Sequence, residues 1–209
     1  MIDTKKKILD SAQRLIGSQG YAATSVRHII SEAGVNLAAI HYHFGSKEDL
    51  LAAIIARKAD LVNKERMTLL DRLESEAGAG PLSVKKVLEA WFLPMAEAAD
   101  GDPGFVLLMG RLMSEGMLQT IVEKHFREPA ERITGALRRS LPELPDEEFR
   151  WRMHFMFGAM AFTMCGRSEF TGIGGDTRDF GGRIDRLITF LIAGFHAPVS
   201  SAGRKEGKR

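Results

Sequence analysis

Between Thr24 and Lys47 the chain sets out hydroxyl, amide, imidazole, guanidinium and ammonium groups at spacings that suit hydrogen bonding to a polyanion rather than bond-breaking chemistry. Asn36-Leu37-Ala38-Ala39 puts one amide ahead of short side chains, so a helix starting there can sink its backbone into a groove about 12 Å wide. Leu37 and Ala38 are out of place on a water-facing surface but suit thymine methyls, while Asn36 and His41 supply hydrogen bonds to base edges. Thr24, Tyr42, His43 and Lys47 fall at helix ends, where such groups clamp phosphates. Tyr42 and His43 have a second reading, packing against the first helix. Two histidines at i and i+2 lie about 200° apart around a helix, so His41 and His43 cannot share a metal ion. The chain has no Gly-x-Ser-x-Gly elbow, no phosphate loop and no paired His/Glu metal helix. The expectation is a binding protein without catalysis, cofactor or metal.

Those side chains need short helices to hold them, and the apolar spacing is helical throughout, with no sustained strand alternation. A first helix is predicted over 4–18, with Ile8, Leu9, Ala12, Leu15 and Ile16 on one face and Gly20 beyond its end. Thr24 or Ser25 caps a second helix that stops near Ala33-Gly34, and Asn36 caps a third running to about Phe44. Gly45 breaks it. Ser46 then caps a long fourth helix to about Glu74, with Asp49 in a first turn whose dipole favours a carboxylate. Glycine and proline clusters cut the remainder into helices at roughly 82–99, 105–118, 119–140, 146–168 and 181–195, about nine in all. The fold class is all-α: an N-terminal three-helix domain carrying a helix-turn-helix, then a larger C-terminal helical domain.

Charge supports this division. The net charge is only +2, but Lys5, Lys6, Lys7, Arg14, Arg27 and Lys47 stand against Asp3, Asp10 and Glu32 in residues 1–47, leaving the remainder slightly acidic. A basic head suits a phosphate-facing module. With 209 residues, 44% of them hydrophobic, the chain can bury a core without staples, and the single Cys165 reads as a small core residue in a reducing cytosol. No apolar run reaches the length of a signal peptide core or a membrane span, so a cytoplasmic protein with no membrane partner is expected. The small, polar, basic tail 198–209 is expected to be disordered.

The run from Gly20-Tyr21 through Thr24-Ser25-Val26-Arg27-His28-Ile29-Ile30, Ala33-Gly34-Val35 and Ile40-His41-Tyr42-His43-Phe44-Gly45-Ser46-Lys47-Glu48-Asp49-Leu50-Leu51 closely resembles the TetR-family DNA-binding domain. The resemblance covers about the first 60 residues. It implies a dimeric regulator, with Thr24, Tyr42, His43 and Lys47 on phosphates and Arg27 reaching a base or phosphate. The domains expected are 1–47, with the start of a linking helix to about residue 62, and 48–197.

One helix-turn-helix reads about one half-site, so the C-terminal part must dimerise to bind a pseudo-palindromic operator. The last two helices are apolar over more than one face, which assigns Phe157, Met160, Met164, Leu187, Leu191 and Phe195 to a homodimer interface. Phe92, Met95, Phe105, Met109, Met113, Met117 and Phe126 are either core or the lining of a pocket for a small hydrophobic effector. Arg111, inside that run, needs an anion: Glu115 four residues on, or a ligand carboxylate. Asn63-Lys64-Glu65-Arg66 and the Arg111 helix are similar to a proteobacterial subgroup that responds to fatty acids or acyl derivatives. The expected protein is a repressor released by a small hydrophobic ligand; the alternative is the same regulator answering to a protein partner or to no ligand. The fourth helix is the only segment expected to touch both halves.

Overall fold

A computed structural model describes residues 4–115, 118–165 and 179–199, and among these there is no strand. The helices are α1 (Thr4–Gln19), α2 (Val26–Ala33), α3 (Leu37–His43), α4 (Lys47–Ala77), α5 (Val84–Gly101), α6 (Pro103–Ser114), α7 (Leu118–Ser140), α8 (Asp146–Cys165) and α9 (Phe180–His196). Expected and observed ends of the first three helices agree within one residue. α4 runs three residues further than expected, to a cap at Gly78, because nothing between Glu74 and Ala77 breaks a helix. The Thr171–Gly175 interruption, residues 200–209 of the tail and the Cys165 side chain lie outside what is described.

Local chemistry fixes the helix starts. Ser25 Oγ accepts from His28 N at 3.2 Å, Asn36 Oδ1 from Ala39 N at 3.0 Å and Ser46 Oγ from Asp49 N at 3.0 Å. Each cap is worth about 1 kcal/mol. Gly34 ends α2 in the left-handed region, φ 64°, and lets Val35 N reach back to Ile30 O at 3.1 Å. That turn aims α3 away from α2.

The head buries Ile8, Leu9, Ala12 and Ile16 of α1 against Ile29, Ala33 and Ile40 of α2 and α3, and α4 completes this core with Leu50, Leu51, Ile54 and Ile55. The body is organised round α5, which packs on α4, α6, α7 and α9, while α8 packs on α6 and α9. Two expectations change here. α4 is not alone in joining the halves, because α6 lies along α1: Gln13 Nε2 donates to Asp102 Oδ1 at 2.8 Å, and Tyr21 N donates to Glu115 Oε2 at 3.3 Å. Gly20, at φ 92°, sits so close that a Cβ would come within 2.5 Å of Glu115 Oε1.

The second change concerns the last two helices. Met160, Met164, Leu187, Leu191 and Phe195 are buried inside the single chain and Phe157 is half-buried against the same core. The five buried side chains are taken up within the chain, where α8 and α9 pack on each other and on α5 and α6, and so do not supply an intermolecular surface. Among the described residues of these two helices, the exposed large apolar side chains are Trp151, Phe155 and Phe162 of α8 and Phe190 of α9.

Candidate nucleic-acid interface

α3 is held from behind and bare in front. Ile40 is fully buried and Phe44 packs on the core, whereas Leu37 is 48% exposed, Ala38 and His41 are exposed, and Tyr42 is 86% exposed. Tyr42 therefore does not pack against α1. Its ring meets the half-buried His43 edge-on, with centroids 5.0 Å apart. Asn36 spends its Oδ1 on the cap and keeps its amide N–H groups, and Ala39 is partly covered. His41 Nδ1 donates to Gly45 O at 3.0 Å, which fixes the tautomer and leaves Nε2 as an acceptor when the ring is neutral. Arg27 is exposed on the outer side of α2, whose Glu32 pairs with Arg14 of α1 at 2.7 Å.

Two expected phosphate ligands sit differently. Thr24 is fully buried and donates to Gly20 O at 2.8 Å, so its hydroxyl braces the turn into α2 and is not offered to a phosphate. The neighbouring Ser25, exposed at the start of α2, holds the outward position. Thr-Ser in sequence offers two hydroxyls, and only the packing of the turn decides which one faces out. Lys47 is half-buried: its Nζ donates to Tyr21 O at 2.6 Å and lies 3.8 Å above the Tyr21 ring centre. Burial pushes the Lys47 amine below its usual value. The Tyr21 hydroxyl donates to Glu48 Oε1 at 2.8 Å, and this bond is the main reason the Glu48 carboxyl is held below the usual range. Burial, then the Glu48 bond, raises the Tyr21 phenol.

The candidates in the body separate. Phe92, Met95, Phe105 and Met109 are core, Phe126 is partly buried against them, and the Met113 and Met117 side chains lie outside the described residues. Arg111 has its Nε 3.2 Å from Glu115 Oε1, beside Gly20 at the junction with the head, so of the two expected anions the structure pairs it with Glu115. Arg66, named from sequence only as the end of the Asn63-Lys64-Glu65-Arg66 run, is a buried arginine that lies among α4, α5 and α7. Among the described residues no cluster of three or more His, Cys, Asp or Glu could hold a metal, and no helix is long and apolar enough to cross a membrane.

Residues 8–54 match the family described as bacterial regulatory proteins of the tetR family, and residues 89–194, about half of the chain, match the tetracyclin repressor-like C-terminal domain. An HTH-type transcriptional regulator from the lacX 3' region of Lactococcus lactis is 27% identical over 142 residues, 68% of this chain and 67% of that protein. The regulator BetI of Rhizobium meliloti is 34% identical over 107 residues, but this covers 45% of this chain and only 51% of that protein. Among solved structures, the transcriptional regulatory protein RHA5900 superposes with a TM-score of 0.67 at 18% identity, covering 93% of this chain and all of the other. The fatty acid degradation regulator FadR of Bacillus halodurans does so with 0.59 at 17%, covering 95% and 99%. Likeness at such identities is one of fold. The two family matches, taken with the capped helix-turn-helix and its outward α3 face, place the chain in the TetR family of DNA-binding transcriptional regulators.

Proposed function

We propose that the protein is a cytoplasmic repressor that binds a pseudo-palindromic operator as a homodimer and is released by a small hydrophobic ligand. The observation that carries this reading is the α3 surface, where Leu37, Ala38, His41 and Tyr42 stand uncovered while Ile40 anchors the helix from behind. Leu37, Ala38 and Ala39 meet base edges and methyls, Asn36 and His41 hydrogen-bond to bases, and Ser25, Tyr42, His43 and Lys47 take phosphates, with Arg27 on a base or phosphate. The DNA-binding unit is residues 1–47 with α4 to about residue 62, and residues 48–197 regulate and dimerise. No catalytic step is assigned.

Trp151, Phe155, Phe162 and Phe190 supply the dimer contact, since exposed aromatic side chains grouped on adjoining helices need a cover. Ligand binding in the body is coupled to α3 through α4 and through the α1–α6 seam, where Asp102 and Glu115 hold the head. Coupling of this kind is reciprocal: the ligand weakens operator binding by the factor by which operator weakens ligand binding.

Selection of bound duplexes from a random pool, with sedimentation of the free protein, tests this. The expected result is a dimer on two inverted half-sites about one helical turn apart, with affinity that falls steeply with salt. A monomer that binds a single unrepeated site would overturn it.

A further inference from the structure

Two arginines are buried among the described residues, and only one has a counter-ion. Arg152 of α8 lies 2.9 Å from Glu148 Oε1 and also donates to Phe195 O at 2.7 Å. Arg66 of α4 is 3% exposed and, among the described residues, no carboxylate pairs with it. Its Nε donates to Trp91 O at 2.8 Å and its Nη1 to Asn63 Oδ1 at 3.1 Å, which leaves Nη2. The guanidinium lies over the Trp91 indole, with its carbon 3.9 Å from the ring centre. Trp91 is itself buried, and its Nε1–H has no acceptor among the described residues. Burial pushes Arg66 down to about 9, so it remains a cation at neutral pH. An uncompensated buried cation stacked on an orphaned buried N–H donor is costly for a chain that gains nothing else from it.

We infer that this stack is the head-group site for the effector, and that the effector is an apolar molecule carrying a single carboxylate, one oxygen on Arg66 Nη2 and the other on the Trp91 Nε1–H. The inference rests on the small-ligand reading above and supplies that ligand's polar end. A carboxylate neutralises the cation one for one and presents two acceptors to two donors; a phosphate dianion would leave excess charge at a buried site. The site is also placed to act. Asn63 Nδ2 donates to His125 O at 2.7 Å, so α4, α5 and α7 meet at one hydrogen-bonded group. Arg66 lies on the same helix as Ser46, roughly 30 Å along it from the start beside α3.

The test titrates the full wild-type chain with decanoate and naphthylacetate against decanol and naphthylethanol, with Trp151→Phe, which leaves Trp91 as the sole indole, used only to assign the emission change. At least one acid should perturb Trp91 emission and raise the melting temperature, with its neutral counterpart roughly ten- to a hundredfold weaker. Arg66→Met should remove that preference while leaving the unliganded protein as stable or more so, since the lone cation is gone; Trp91→Phe should weaken the acid without abolishing it. Equal binding of acid and neutral analogue, no binding of either acid, or an acid response that survives Arg66→Met would each overturn the carboxylate site. Operator binding read in the same samples separates the two claims: acid binding with the operator complex intact sinks release by ligand, whereas release by the neutral compounds alone sinks the carboxylate.

Discussion

α3 and the pair α8–α9 are both apolar helices read from sequence, yet the outward residues are legible in one and not in the other. α3 is seven residues between a side-chain cap and a glycine turn, so its register is pinned: once Ile40 goes in, Ala38 and Tyr42 must face out. α8 carries apolar residues all the way round. Met153, Met156, Met160 and Met164 repeat at helical spacing, and so do Trp151, Phe155 and Phe162 on another side. Methionine bends into irregular gaps, and the methionine stripe went inward and left the rigid aromatics outside. Two-sidedness predicts that a second surface exists; only the packing against α5 and α6 says which stripe it is.

The largest expected effect breaks the contrast between those stripes. Leu191→Asp should abolish cooperative unfolding, because it buries an unpaired carboxylate in the core at a cost on the order of 4–5 kcal/mol. Phe155→Asp combined with Phe190→Asp should leave a folded monomer by sedimentation and circular dichroism, with operator binding lost. If the double variant remains a dimer, the exposed aromatics are not the interface.

The two sides of α3 give the next effect. Ile40→Ala should cost about 2–4 kcal/mol in denaturant unfolding. Tyr42→Ala should change stability by less than about 0.5 kcal/mol and weaken operator binding at every sequence alike. A Tyr42→Ala protein that melts early would place that ring in the fold instead of on DNA.

A smaller contrast sets Lys47 against Ser25. Lys47→Met should flatten the salt dependence of operator affinity by about one unit, while Ser25→Ala should lower stability by about 1 kcal/mol through the lost cap. An unchanged salt slope for Lys47→Met would leave that lysine as a brace for Tyr21 alone.

The smallest effect is acid-linked. The Glu48 carboxyl is held low by the Tyr21 hydroxyl, so its contribution is fully present above the unfolded value of about 4.3 and is lost as pH falls through the folded value. Tyr21→Phe removes the donor. The wild-type advantage in melting temperature should therefore be present at neutral pH and fade in acid; an advantage that grows in acid would reverse the assignment.

What the sequence made legible follows from the range of the interaction involved. Caps, glycine turns and 3.6-residue spacing are local, and they located α1 to α4 and the face of α3. Thr24 and Ser25 show the first limit, since two adjacent hydroxyls look alike until the turn is packed. The arginines show the second. Arg111 sits inside the more apolar run, yet it meets Glu115 at the edge of the head, while Arg66, flanked in sequence by Lys64 and Glu65, is the one sealed in. Exposure of a long side chain depends on neighbours far along the chain, here Trp91 and His125, which no local window contains.

The α1–α6 seam decides how this protein could be rebuilt. Regulators of this architecture invite recombination, with the reading head of one joined to the sensing body of another at the start of α4. Here a graft of residues 1–60 would leave behind Asp102, Gly104, Leu108 and Glu115, the partners of Gln13, Gly17 and Tyr21. Such a chimera would keep its DNA-facing surface and lose the clasp that sets its angle, unless the new host carried a short acidic side chain where Asp102 stands and a flat backbone under Gly17. The unit to transplant is α1 to α4 together with the inner face of α6, two stretches of chain that are not adjacent in the gene.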